Sequence, residues 1–407
     1  MQSGRKWCLF QKAWLMLGLT LSALLAGCGG AGTKYHEFMP KRIVVIGDEI
    51  TYVGCTQASA DAPCLGTDSF DRYSINNVSS SPAAFVNNWV VQLATLYGLG
   101  LNQIVESSLQ SSLSGPATDA AKRRAYRLGA TVDNLRAQAF NAGSIPAYVP
   151  GDMLILAGGA NDVVNIMKDP TNDSDISGIT FERRFSPTDM ITQAKVTHLS
   201  VGKSYRVMKA AQQYQNLAFD LLSTGQQHNV FVALVYDFSN SPDLNRFCPA
   251  NLGCSQDGLQ EAIKLFNLTL KNFTDANGDL YQFSLGKPRI LTTTGYALDA
   301  SYTGITMLTN TFGSSTFQWN PYSASNPPAS ACGTAISVSG DLTDCHWNGL
   351  LATASDGTPV ATSSGMASDF ISTSGRYVYA SNFYLSPSIL QSIGNIFYTF
   401  MRGYYGW

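Results

Sequence analysis

Two short polar clusters follow apolar runs in this chain, and they hold most of the side chains that could act on a substrate. Arg42-Ile43-Val44-Val45-Ile46 leads into Gly47-Asp48-Glu49, and Met153-Leu154-Ile155-Leu156-Ala157 leads into Gly158-Gly159-Ala160-Asn161-Asp162. Each pattern is that of a covered strand ending in a turn. Acyl transfer at such a place needs a nucleophile, a base to deprotonate it, a group that orients the base, and donors for the developing oxyanion. The Gly-x-Ser-x-Gly elbow of another hydrolase class does not occur. The chain has only four histidines: His36, His198, His228 and His346. His346, which follows Asp344 with one residue between, reads first as a loop residue and second as a displaced base. His36 lies in a tether, and His198 and His228 fall on or after helices as surface or packing groups. Thr51 and Ser386 are hydroxyls near the clusters, but Glu49 holds the turn itself.

The elements that must position these groups alternate between strand and helix. After the first strand, residues 51–81 are polar and contain two cysteines. Ser81-Pro82 opens a helix, a capping serine followed by proline in the first turn, with Phe85, Trp89, Val90, Leu93 and Leu96 at helical spacing. Gly129 precedes a helix over 131–140, and the second strand covers 153–157. A long helical region, 187–223, leads to a strand over 230–236; a helix over 259–273 leads to another over 289–293. Residues 294–370 are rich in Ser, Thr and Gly and read as long loops. A strand over 377–380 and a helix over 387–401 close the chain. Strands interleaved with helices argue for an α/β domain with a mostly parallel sheet. No repeat or linker divides residues 41–407, which are read as one domain.

The order of these motifs resembles the SGNH/GDSL hydrolases. The resemblance rests on Gly47-Asp48 after the first strand, Gly129 opening the second block, Gly159-Ala160-Asn161-Asp162 after the next strand, and a last block before the closing helix. It spans about residues 41–401, with the Gly-x-Asn-Asp run as its most specific element. It implies a three-layer α/β/α sandwich, with long disulfide-pinned insertions here. It also implies a nucleophile at position 49 and oxyanion donors in the main-chain N–H of residue 49, the N–H of Gly129 and the side-chain amide of Asn161. Taken alone, Gly129 is an ordinary helix-entry glycine and Asn161 a turn former. Aligned on Pro387, Asn382 takes the place of the orienting aspartate and Leu385 that of the histidine base. Glu49, Asn382 and Leu385 therefore replace all three catalytic groups, and loss of such groups costs on the order of 10⁴–10⁶ in rate. A carboxylate set among oxyanion donors is expected to be hydrogen-bonded, a resident anion filling the hole. The expectation is a non-catalytic binding or accessory protein. The alternatives are an active esterase or lipase with relocated nucleophile and base, and a purely structural lipoprotein on the same fold.

The N-terminus bears on location. Arg5, Lys6 and Lys12 precede an apolar stretch, Ala13 to Leu25, too short to span a bilayer comfortably. Leu25-Ala26-Gly27-Cys28 is similar to a bacterial lipobox, which implies a signal peptide over 1–27 and an acylated Cys28 joined through a flexible tether, 28–40, to the domain. A membrane is then a partner, and Gly29 after the cysteine favours the outer membrane of a Gram-negative cell. Without Arg5, Lys6 and Lys12, the 26 basic residues fall to 23 against 28 acidic, a net of −5. Such a balance gives no basic face for nucleic acid. Six further cysteines form three close pairs. Of the 15 pairings that six cysteines allow, the nearest-neighbour set Cys55–Cys64, Cys248–Cys254 and Cys332–Cys345 is the simplest. Tight Cys-x-x-Cys spacing is lacking, so neither a metal nor another cofactor is expected. Loop aromatics Trp319, Tyr322 and Trp347 suggest a cleft for a glycan or acyl ligand. The sequons at Asn77, Asn172, Asn267 and Asn272 read as chance.

Overall fold

A computed structural model describes residues 38–53, 88–109, 126–181, 186–222, 229–239, 241, 244–271, 290–292, 379–381, 384–385 and 387–402. The chain divides into two units, residues 40–399 and a small one of residues 1–39 with 400–407. The first carries the sheet and is described here.

Among the described residues five parallel strands form the sheet: β1 (Arg42–Gly47), β2 (Ile104–Glu106), β3 (Asp152–Ala157), β4 (Asn229–Val232) and β5 (Ile290–Thr292). Their spatial order is β2-β1-β3-β4-β5. Ile43, Val44, Val45 and Ile46 of β1 and Met153 to Leu156 of β3 have no exposed surface. This is why both strands read as continuous apolar runs rather than alternating ones. The two pair in register from Arg42 opposite Asp152 to Gly47 opposite Ala157. At the entry end the Arg42 guanidinium grips the Asp152 carboxylate with two bonds, 2.6 and 2.8 Å, so the strands start level and end level.

Parallel strands need crossovers, and helices supply them. The helices are α1 (Trp89–Leu96), α2 (Val132–Phe140), α3 (Ala160–Lys168), α4 (Pro187–Ala194), α5 (Val201–Leu222), α6 (Leu244–Phe247), α7 (Gln256–Lys271) and α8 (Pro387–Phe400). Phe231 of β4 meets Trp89 of α1 and Phe397 of α8, with ring centroids 6.2 and 4.8 Å away. From α5, the Tyr214 hydroxyl donates to the Leu156 carbonyl at 2.8 Å. Asn267 of α7, 1% exposed, accepts from Val235 N–H at 3.0 Å and donates to its carbonyl at 2.6 Å. It thereby holds the backbone just beyond the end of β4. That burial, with Asn172 also buried, gives both sequons a structural role.

Three sequence expectations change. The short β2 was not foreseen. The helical region 187–223 is two helices, broken where Lys195 takes a left-handed conformation (φ 57°). The strand expected at 377–380 is β6 (Tyr379–Ser381), paired antiparallel with β7 (Tyr384–Leu385) rather than joined to the main sheet. Of the three expected disulfides, Cys248–Cys254 is formed, with Cα atoms 5.2 Å apart. Cys28, Cys55, Cys64, Cys332, Cys345, Trp319, Tyr322 and Trp347 lie outside the described residues.

Candidate functional site

From β1 the chain runs outward to β2, then returns to β3 on β1's other side. The strand order therefore reverses between β1 and β3, and in open α/β sheets ligand sites gather beyond the carboxyl ends of the strands at such a reversal. Gly47 and Ala157 end side by side there, so the two polar clusters of the sequence meet.

Gly47 is fixed from three directions. The Gln138 side chain accepts from Gly47 N–H at 3.0 Å and donates to its carbonyl at 2.9 Å. Arg127, fully buried, donates to the same carbonyl at 2.7 Å and also to Gln138 Oε1. A Cβ at position 47 would stand 2.2 Å from Thr51 Oγ1 and 2.8 Å from the Ala157 carbonyl, so only glycine fits. Burial pulls the Arg127 guanidinium below its ordinary range, and the Glu106 charge opposes that most strongly. The guanidinium also lies over the Tyr52 ring, 5.9 Å from its centroid.

The chain then makes one tight turn over Glu49–Thr51, capped by Asp48, whose Oδ1 accepts from Ile50 N–H at 3.2 Å. The turn swings the Glu49 side chain inward, and that residue is 1% exposed. Opposite it, Gly159 starts α3 at φ 97°, a left-handed conformation that costs a side-chain-bearing residue about 1 kcal/mol or more. This turn aims Asn161 back at β1. The Asn161 amide donates to both oxygens of the Glu49 carboxylate, at 2.9 and 3.2 Å, and lies 3.3 Å from the Ala130 carbonyl. The carboxylate expected to fill the hole is thus buried and bound to the Asn161 amide.

Gly129 sits in the exposed turn that precedes α2, at φ 71°. Its neighbour Ala130 is the residue whose carbonyl reaches Asn161. Asp162 ties this turn to α3 by accepting from Val132 N–H at 3.0 Å. Burial raises the Asp162 carboxyl to about 7, the Val132 bond opposing it. Asp48 is also buried, and its carboxyl lies well above the usual range through burial first and the Glu49 charge second. Three carboxyl groups, two of them raised, therefore crowd one strand end.

Leu385 ends β7, just before α8; Asn382 and Ser386 lie outside the described residues, as do His36, His228 and His346. His198, between α4 and α5, is exposed, its Nδ1 2.9 Å from Oε1 of Glu261 on α7. Among the described residues no group of three metal-ligating side chains converges, and no helix is long and apolar enough to cross a membrane.

Sequence reasoning missed Arg127 and Gln138. Gln138 left a signal: it lies three residues after Leu135 and six after Val132, on the buried stripe of α2. Arg127 left none, because nothing in Tyr126-Arg127-Leu128 marks the arginine as buried. Comparison of the chain with family models, curated proteins and solved structures finds no match.

Proposed function

We propose that this chain is a catalytically silent relative of the SGNH/GDSL hydrolases that binds a ligand or assists other proteins at the cell envelope. In this reading the sheet is the centre of a three-layer α/β/α sandwich, and an acylated Cys28 holds the domain to a membrane, the outer one in a Gram-negative cell. The carrying observation is the buried pairing of Glu49 with Asn161. A serine at position 49 would leave the Asn161 amide free for a substrate oxyanion; the glutamate occupies that amide with its own negative oxygens. A transition state of the same charge then meets repulsion where a hydrolase supplies donors. The placement of Asp48 and Asn161 at the β1/β3 reversal supports the family reading, because the four motifs were matched on order and spacing alone.

The test is hydrolysis of a short p-nitrophenyl ester by the purified chain. Wild type and Asn161→Ala should be equally inactive; a wild-type rate clearly above that of the variant would make the protein an esterase with a relocated nucleophile. The companion variant Glu49→Ser with Asn382→Asp and Leu385→His should gain measurable hydrolysis. A folded triple variant that stays inert would refute the alignment of the last block. For the anchor, labelled palmitate should enter the wild-type chain in bacterial cells and not a Cys28→Ala variant.

A further inference from the structure

α4 is eight residues long, and only Ala194 of it is buried. A helix of that length is marginal on its own in water, so what fixes its ends matters. Beyond the Lys195 cap the chain runs through Thr197-His198-Leu199 before α5 begins at Val201. One carboxylate of α7 holds that segment. Glu261 Oε2 accepts from three successive backbone N–H groups, those of Thr197, His198 and Leu199, at 2.8, 2.7 and 3.2 Å. Glu261 Oε1 accepts from the Thr197 hydroxyl at 2.7 Å and from His198 Nδ1 at 2.9 Å. Successive N–H groups converging on one oxygen make an anion cradle. All five bonds require a carboxylate that only accepts.

We propose that residues 197–199 and Glu261 form a pH-gated latch that docks α4 on α7, closed in mild acid and loosened on either side. The acid limb comes from Glu261. Burial works against its charge, but the bonds from the His198 N–H and the Thr197 hydroxyl outweigh that and hold the carboxyl below its ordinary 4.5. The latch is therefore complete above pH 4.5 and is lost as pH falls through the lower folded value. Protonation there turns one acceptor into a donor facing donors. The alkaline limb comes from His198. Its bond to Glu261 first, then the charges of Glu261 and Asp257, lift the imidazole above its ordinary 6.5. That contribution is full below pH 6.5 and is lost as pH rises through the higher folded value. Neutral imidazole still donates through Nδ1, so only charge is lost at this exposed pair, and the limb is shallow. The charges around the latch come mainly from α7: Asp257, whose Oδ2 is 4.0 Å from His198 Nε2, and Lys264 one turn beyond Glu261. α4 carries Asp189 in its first turn, followed by the exposed Lys195. On α5, Lys203 is turned to Asp173 instead, and Lys168 ends α3. The latch does not need the family reading.

The experiment is amide hydrogen exchange on the purified full chain between pH 3 and 8.5, with each rate divided by that of an unstructured peptide at the same pH. Protection of α4 and of the Thr197, His198 and Leu199 amides should be highest between about pH 4.5 and 6.5. It should fall about tenfold or more toward pH 3 and about two- to threefold toward pH 8.5, while β1 and β3 amides stay protected. His198→Gln should abolish the alkaline fall and keep the acid one. Glu261→Gln should abolish both and leave α4 poorly protected throughout. Protection of α4 that follows β1 and β3 at every pH would overturn the latch, because the segment would then open only with the whole domain. Unchanged α4 protection in a folded Glu261→Gln variant would overturn the role of Glu261. Should a variant fail to fold, the wild-type profile still decides, together with titration of the His198 ring by NMR. A ring that titrates at or below 6.5 overturns the alkaline limb, and one that titrates above it supports that limb.

Discussion

Asn161 gives both oxygens of Glu49 an amide partner inside a site with almost no solvent. Removing that amide leaves a buried carboxylate short of a donor, a loss of about 1–3 kcal/mol. Asn161→Ala should therefore lower stability by about that much in urea unfolding, and by clearly less in a Glu49→Ala background. Equal losses in the two backgrounds would mean the pair contributes no coupling. Asp162 makes a second prediction at this scale. Its carboxyl stands near 7 when folded against an ordinary value of 3.8, so the folded state holds the proton more tightly. The associated stability is complete below about pH 4 and is lost as pH rises through 7. Asp48, raised for the same main reason, adds a loss of the same sign. Asp162→Asn keeps an acceptor for Val132 N–H and should flatten the decline between pH 4 and 8, by at most about 4 kcal/mol. An unchanged slope in this variant would show that Asp162 does not titrate in that window. Glu49 and Asn161 were legible in the sequence because each follows an apolar run at a turn. Arg127 was not, because burial of a guanidinium is decided by the carbonyls around it, and those come from elsewhere in the chain.

At the scale of elements, the strand exits matter most. Gly47 owes its position to Gln138 and Arg127, which reach it from α2 and the turn before it. Gln138→Leu would remove both side-chain bonds to the Gly47 peptide groups and leave the Arg127 contact with Oε1 unmade. It should cost roughly 2–4 kcal/mol in the same urea experiment, given the price of orphaned buried groups; a loss under half a kcal/mol would show that Arg127 alone suffices. The break between α4 and α5 is a separate case. Lys195 caps α4 in the left-handed region, its N–H bonding the Ile191 and Thr192 carbonyls. Glycine is the usual residue there, and its absence is why one continuous helix was expected. Lys195→Gly should stabilise by about 0.5–1 kcal/mol, because strain at a side-chain-bearing residue is relieved, and a lower melting temperature would contradict this. β2 escaped notice for another reason. Ile104-Val105-Glu106 is too short for any period to register, and its glutamate is buried because Oε1 accepts from Val53 N–H at 2.7 Å.

The whole molecule explains why two separated clusters form one site. A parallel sheet with order β2-β1-β3-β4-β5 makes β1 and β3 central, and the reversal between them brings residues 47–49 beside 157–161. The α/β class was legible because doubly covered strands leave unbroken apolar runs. The strand order was not, because pairing depends on which faces the crossing helices cover, and local sequence carries little of that. Centrality has a measurable consequence. Amides of Ile43–Ile46 and Met153–Leu156 are hydrogen-bonded to strands on either side and carry side chains with no exposed surface. Such amides exchange only when the domain opens globally. The β6–β7 ribbon stands outside this sheet and has a shifted register between Tyr379 and Ser381. Native-state hydrogen exchange should therefore show the β1 and β3 amides sharing a single opening free energy equal to that from urea unfolding, with Tyr379–Ser381 exchanging orders of magnitude faster. If Asn161→Ala lowers the protection of β1 and β3 together by its own stability loss, the Glu49 contact belongs to the cooperative core. A drop confined to residues 47–53 would instead make the turn a locally opening unit, with the carboxylate free to leave its partner while the sheet stays intact.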